Sequence, residues 1–410
     1  MERPQTAIFV SDIHFTDRAG GDPITPTEWA DFIADVVDKE SEHAPVELVL
    51  LGDIVDVLRS DLWHERDLRP WNNVGQQFRS FSTTAQAGLL LEILDRIGAR
   101  YQEGLEHLAR LVSEGRVVSY YIPGNHDYAA TAAPALRKKL AELFSTGAGD
   151  AELSELYIHP ELSVVARHGH QVDPFNSFDR ENTRWAIGDA VVIELVNGLS
   201  WAYRQRTRQP EGHHTVQALD RLDNVAAIQL IPEYLRSLMR YEIEDADHAL
   251  IQELWAGRID AFVAAVEGKK NLWSLDHANQ LVGLLKGVRD LRAASLLGRL
   301  ADIASGVSPS LPSELRSTAA MVRGHNQGQP VRFAVMGHTH QPGCWPLGAL
   351  DYGALTRFYL NTGTWRQVVQ PIGPPRRDDF RQFVAHRLTA YLVIRGGAPP
   401  TFDHVVRCRG

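Results

Sequence analysis

Asp12 and His14 are one residue apart and directly follow the β-rich run Ala7 to Val10. In an extended chain, residues two apart point the same way, so this carboxylate and this imidazole can share one cation. Gly52-Asp53-Ile54-Val55-Asp56 closes the apolar run Leu48 to Leu51; the glycine lets backbone approach a bound group, and Asp53 is placed to bridge two ions. Each of these clusters alone also fits a turn or a cap. Pro123-Gly124-Asn125-His126-Asp127 is more specific, because it offers a neutral carbonyl, an imidazole and a carboxylate in succession, which a plain turn does not need. Arg167-His168-Gly169-His170 and Gly337-His338-Thr339-His340 follow the apolar runs Leu162 to Ala166 and Val331 to Met336, and the last repeats the two-apart spacing with a pair of imidazoles.

Conjunction decides what each cluster alone leaves open. All five sit where strands end, the edge at which open α/β sheets bind ligands. Oxygen and nitrogen donors without thiolates suit divalent ions such as Mn, Fe, Zn, Ni or Mg. Asp56 reads as a partner for a ligand histidine rather than as a ligand. His64, His213, His214, His248, His277 and His325 lack a paired context and read as surface or core residues.

These clusters need an alternating scaffold. Strand-like runs at 7–10, 48–51, 117–122, 162–166, 331–336 and 358–360, with a last one near 390–394, are separated by helical patterns. Ala85 to Ser113 is the clearest, with Leu89, Leu90, Ile93, Leu94, Ile97 and Leu105 on one face. This alternation predicts an α/β layered fold. Between 174 and 329 the strand signal gives way to amphipathic helical segments, including Thr215 to Tyr241 and Ala278 to Ala304. The predicted organisation is therefore an α/β core in two parts, 1–173 and 330–410, split by a helical insertion over 174–329. Without the insertion about 250 residues remain, the size of one domain. Gln370 to Asp379, rich in Pro, Gly, Arg and Asp, reads as an exposed loop.

Within the insertion, Ala186 to Tyr203 places Asp189, Glu194, Asn197 and Ser200 in one helical sector and Ile187, Val191, Leu195 and Leu199 in the opposite one. The apolar face is read as core; the alternative is a site for an acyl chain, giving the insertion a peripheral contact with lipid or membrane. Arg204, Arg206 and Arg208 are read as a solvated charged face rather than as a grip on a distal phosphate.

With 44% hydrophobic and 23% charged residues in 410, the chain can bury a sizeable core. A formal net charge of -9 gives no overall basic field, which argues against nucleic acid as a partner. Two cysteines, Cys344 and Cys408, make a disulfide framework implausible and suit a reducing compartment. No basic segment and apolar signal core precede the first strand, so the cytoplasm is the expected location. Asp189 and Glu194 interrupt the longest weakly charged stretch, which fails the test for a membrane span.

The motifs DxH, GDxxD, GNHD, HGH and GHTH, in this order, resemble those of the calcineurin-like metallophosphoesterase superfamily. The resemblance covers the α/β core and not the insertion. It implies a four-layer αββα sandwich, with two sheets between helices, carrying a large helical insertion. It also implies that Asp12, His14 and His340 hold one metal, that Asp53 bridges both, and that Asn125, His168 and His338 hold the second. His126 would be the general acid with Asp127 orienting it, and His170 would face the substrate or support a ligand. The implied cofactor is two divalent ions, Mn foremost. In such sites the ions lie ~3.5 to 4 Å apart and lower the pKa of the water between them, so a metal-bridging hydroxide is the expected nucleophile on a phosphoester or pyrophosphate. The expected partner is a small phosphorylated substrate. Phe358 to Arg366, reading FYLNTGTWR, is similar to the late strand and turn of the bacterial branch containing UDP-2,3-diacylglucosamine pyrophosphatases. That branch has arginine at the position of His126 and aspartate at that of His170. The alternatives are a nuclease of the same superfamily and a non-catalytic metal-binding scaffold.

Overall fold

The computed structural model describes residues 3–21, 23–69, 85–173, 175–177, 186–225, 230–267, 275–291, 331–347, 356–372 and 382–409. Strands are numbered along the chain. One mixed sheet contains β1 (Thr6–Val10), β2 (Val46–Leu51), β3 (Val117–Ile122), β9 (Gln367–Ile372), β10 (Gln382–Arg395) and β11 (Thr401–Arg409), in the order β11-β10-β1-β2-β3 with β9 paired to β10. The other contains β4 (Tyr157–His159), β5 (Val164–Ala166), β6 (Phe333–Met336), β7 (Gly343–Pro346) and β8 (Phe358–Asn361), in the order β4-β5-β6-β8-β7. Parallel pairing joins β1 to β2 and β2 to β3 in the first sheet, and β5 to β6 and β6 to β8 in the second. The protein is thus a mixed α/β fold.

Strand alternation sorts the apolar side chains into layers. Ala7, Phe9, Val49, Leu51, Leu392 and Ile394 of the first sheet pack with Val164, Ala166, Phe333, Val335 and Leu360 of the second, so the sheets lie face to face. Ile8, Val10, Leu48 and Leu50 point the other way, into the larger core shared with the helices. All six residues of β2 are buried, which its nearly unbroken apolar run anticipates. Glu47 interrupts that run and is buried against Arg3 Nε at 2.7 Å. The cluster on the outer face of the second sheet, around Val165, Ala334, Met336 and Tyr359, holds no helical residue among those described.

The helical prediction for Ala85 to Ser113 resolves into two helices, Ala85–Arg100 and Gln102–Ser113. They part at Tyr101, whose hydroxyl donates to Ile24 O at 2.9 Å. Thr215 to Tyr241 likewise contains two helices, His214–Asp220 and Ile231–Tyr241, with Val225 bridged to Val369 of β9 between them. Helix Leu275–Gly287 lies in the Ala278 to Ala304 segment, whose residues after 291 are outside those described, as are the insertion's boundaries at 174 and 329. Gln370 to Ile372, expected in a loop, end β9; residues 373–379 lie outside the described set.

The amphipathic reading of Ala186 to Tyr203 is corrected. Asp189, Glu194, Asn197 and Ser200 are as buried as Val191 and Leu199. Two of them meet partners from the core: Asn197 Oδ1 accepts from Arg18 Nη1 at 2.9 Å, Asn197 Nδ2 donates to Leu58 O at 3.0 Å, and Glu194 pairs with Arg69. A polar stripe turned inward is indistinguishable, on a helical wheel, from one turned to water. Arg204 is likewise no solvated residue; its Nη2 lies 2.6 Å from Asp61 Oδ2. Val191 and Leu199 belong to the main core cluster together with Ile54, Leu58 and Trp63. Among the described residues no helix is long and apolar enough to cross a membrane.

Candidate metal centre

The five predicted clusters lie at the carboxyl ends of parallel strands: Asp12 and His14 after β1, Asp53 after β2, Asn125 and His126 after β3, His168 after β5, and His338 and His340 after β6. Main-chain hydrogen bonds lace these loops together. His14 N donates to Asp53 O at 2.9 Å, His126 N to Asp53 Oδ1 at 2.8 Å, His338 N to Asp12 Oδ2 at 2.9 Å, and Gly337 N to His168 O at 2.8 Å.

Three groups result whose donor atoms lie within 4.8 Å of one another: Asp12, His14 and His340; Asp53, His168 and His338; and His14, Asp53 and His126. His340 Nε2 is 3.2 Å from Asp12 Oδ1, His168 Nε2 is 3.2 Å from Asp53 Oδ2, and His14 Nε2 faces His340 Nε2 at 3.3 Å. Asn125 is buried in the loop after β3, with Nδ2 3.5 Å from Asn176 Oδ1.

The backbone achieves this convergence differently from the expected pleat. Asp12, His14, Asp53, His338 and His340 all have positive φ, at 51°, 56°, 52°, 71° and 59°. They are not extended, so alternation along a strand does not aim the two-apart pairs; a left-handed kink at each residue does. Non-glycine residues in this region are strained and persist where the surroundings over-determine them. Gly52, at φ 84°, belongs to the same kinked turn, and a β-carbon there would come within 2.5 Å of the His168 ring.

Three of the four candidate ligand histidines have one nitrogen committed to an acceptor, leaving the other for the centre. His14 Nδ1 is 2.9 Å from Asp56 Oδ2, His168 Nδ1 donates to Leu51 O at 2.9 Å, and His338 Nε2 is 3.0 Å from Asp173 Oδ2. A carboxylate or carbonyl can only accept, so each contact fixes the tautomer and the ring's direction. Burial, reinforced by the Arg366 guanidinium, pushes His14 down to about 3, so its ring stays neutral. Burial opposes protonation of His168 too, but Asp53 and Asp12 outweigh it and raise it to about 9 before any cation adds its charge.

The expectation that Asp127 orients His126 is corrected. Asp127 accepts from Tyr121 Oη at 2.7 Å, Gly124 N at 2.6 Å and Ile54 N at 3.0 Å, and so braces the loop backbone. The carboxylate beside the His126 ring is instead Asp56, whose Oδ1 lies 3.1 Å from Nδ1 as an ion pair without a hydrogen bond. Burial works against a charge on His126, but Asp56 and Asp53 raise it to about 10.

The donors fit cations. Asn125 Oδ1 is buried with no hydrogen-bond partner, and Asp12 Oδ1 and His168 Nε2 each lie 3.2 Å from an ionisable neighbour without a hydrogen bond to it. Buried polar atoms crowded together without hydrogen bonds call for an explanation, and an ion between them supplies one. His170 is buried and packs with its ring centroid 5.5 Å from that of His168.

Sequence reasoning missed four participants. Asp173 supports His338, and its signal was a lone acid three residues after His170. Arg366 is buried, lies 3.5 Å from His14 Nδ1 and 4.0 Å from Asp56 Oδ2, and is held by Asp223 and Asn224. Asn361 and Thr364 pin neighbouring loops, Asn361 Nδ2 donating to Gly337 O at 2.9 Å and Thr364 Oγ1 to Asp12 O at 2.9 Å. Thus the end of β8 and the run after it clamp the first and last of the candidate ligand loops. Compared with known protein families and with curated proteins, the chain matches none.

Proposed function

We propose that this protein is a dinuclear-metal-dependent hydrolase of phosphoester or pyrophosphate bonds and a member of the calcineurin-like metallophosphoesterase superfamily, a reading that its two facing sheets and the order of its motifs support. The observation that carries the reading is Asp53, which is grouped with His168 and His338 on one side and, on the other, with His126 and with His14, itself a member of the group with Asp12 and His340. Such a carboxylate is the natural bridge between two ions. Despite burial, His168 and His126 hold it well below the usual carboxylate range, so it is ionised and ready to ligate.

Asp12, His14 and His340 would hold one cation, and His168, His338 and Asn125 the other. When bound, the pair, Mn foremost, would polarise a phosphate oxygen and acidify water between the ions. Asp12 and Asp53 cannot neutralise two divalent charges, so the site attracts an anion despite the chain's net charge of -9. His126, protonated and aligned by Asp56, is placed to hand a proton to the leaving oxygen. The partner is a small phosphorylated substrate, and the two exposed, unpaired cysteines suit the reducing cytoplasm.

The test is hydrolysis of bis-p-nitrophenyl phosphate by Mn²⁺-loaded protein, with Asp53→Ala and His126→Ala as controls. The wild type should turn over far faster than Asp53→Ala; equal rates would remove the enzyme reading.

A further inference from the structure

The two ligand groups are supported from different directions. His14 is fixed by Asp56, with Arg366 behind it, whereas His338 depends on Asp173. Asp173 is itself built into a tight turn: its Oδ1 accepts from Phe175 N at 2.9 Å, and its Oδ2 accepts from Asn176 Nδ2 at 2.8 Å as well as facing His338 Nε2 at 3.0 Å. The carbonyl of that same Asn176 faces Asn125 Nδ2 at 3.5 Å. One short turn therefore reaches both His338 and Asn125, the two donors that come from different sheets to the same ligand group. Its contact with Asn125 goes to the amide nitrogen, which leaves the unpartnered, buried Oδ1 turned toward a ligating role. The room for Asn176 is specific too, since a β-carbon on Gly188 would collide with its Oδ1.

We propose that Asp173 and Asn176 are positioning residues for one of the two cations, the one between Asp53, His168, His338 and Asn125, and not for the other. This rests on the dinuclear reading above and deepens it: the two positions have separate supports and can be emptied separately. Asp173 acts by keeping the proton of His338 on Nε2, so that Nδ1 carries the lone pair, and by stopping the ring from turning. Asn176 acts by keeping the amide nitrogen of Asn125 away from the cation.

The experiment uses the full chain stripped of metal by chelation and titrated with Mn²⁺, followed by calorimetry and by the electron paramagnetic resonance signal of exchange-coupled Mn²⁺ pairs. Wild type is expected to take up two ions and show the coupled signal. In Asp173→Ala one binding step should weaken by about 10- to 100-fold, the usual cost of removing such a partner, while the other is unchanged. The coupled signal should give way to that of isolated ions at concentrations that saturate wild type. Asp173→Asn, which still offers a carbonyl to His338 Nε2, should recover part of the lost affinity, a recovery that a purely architectural role would not produce. Asn176→Ala should weaken the same step and decides the question if Asp173→Ala fails to fold. Two wild-type affinities in both variants, or equal loss of both steps in a variant that melts like wild type, would overturn the proposal and leave the dinuclear reading standing. A wild type that binds no pair of ions would instead overturn the dinuclear reading itself.

Discussion

His126 Nδ1 lies 3.1 Å from Asp56 Oδ1, and the other oxygen of that carboxylate is 2.9 Å from His14 Nδ1. A single buried acid therefore faces both a candidate ligand, His14, and the proposed proton donor, and its negative charge is a main reason that His126 stays protonated. Asp56→Asn should lower kcat by on the order of 10² to 10⁴, the range for a lost acid catalyst. It should also move the alkaline limb of the pH–rate profile to lower pH, because removing the anion lowers the pKa of His126. The loss should be larger for a phenyl than for a p-nitrophenyl leaving group, since the poorer leaving group needs the proton more. Equal losses on both substrates would assign Asp56 to metal binding alone.

Metal uptake should release protons. Asp53 and Asp12, against the opposing effect of burial, raise His168 to about 9, whereas a ligand must be neutral. Affinity for Mn²⁺ should therefore climb from pH 6.5 to about 9 and then level off. The cation-free protein should show the opposite trend in stability: a raised histidine stabilises fully below its unfolded pKa of 6.5, and that contribution is lost as pH rises through about 9. Calorimetric titration in buffers of different ionisation enthalpy, paired with urea melts across this window, measures both.

Gly52→Ala should be costly out of proportion to one methyl group. A non-glycine residue forced to positive φ loses about 1–3 kcal/mol, and here the new β-carbon also meets the His168 ring. Urea unfolding should show the stability loss, and a weakened Mn²⁺ affinity should accompany it because His168 must move.

Arg366 Nη2 lies 2.5 Å from Asp223 Oδ2, and both side chains are buried. Arg366→Ala removes one of two guanidinium partners of Asp223, which keeps Arg59 at 2.9 Å, and should destabilise the fold by about 1.5–3 kcal/mol, the range for a hydrogen bond to a charged group. Adding Asp223→Ala should cost less than the sum of the two single changes, because the contact between the two side chains is lost only once, while the loss of Arg59's partner is common to both Asp223 variants. Chemical denaturation of the four proteins closes the cycle; simple additivity would show that the pair is uncoupled.

The ligand clusters were legible because each is a dense run of donors stopping an apolar strand, a pattern local in sequence. The supports were not. Asp173 and Arg366 act over separations of 165 and 352 residues, on His338 and His14 respectively, and neither lies in a donor-rich run. Asp127 misled because it neighbours His126 in sequence, while the left-handed turns of the site bring Asp56 to the ring instead. β10 was anticipated only at Ala390 to Ile394, within its buried part; the preceding half mixes exposed and half-buried residues and is held by pairing to β9, which leaves no continuous apolar signature. The helix at Ala186 to Tyr203 shows the converse limit, since polarity marks where partners are needed and not whether water or protein supplies them.

Each of the two ligand groups draws on both sheets: Asp12 and His14 against His340, and Asp53 and Asn125 against His168 and His338. An ion seated in either group is accordingly a rivet through the seam between the layers, tying their edges much as a crosslink would. Metal loading then reaches well past the chemistry. It should slow hydrogen exchange along the facing strands, and mechanical looseness in the sandwich and vacancy at the centre become one and the same defect.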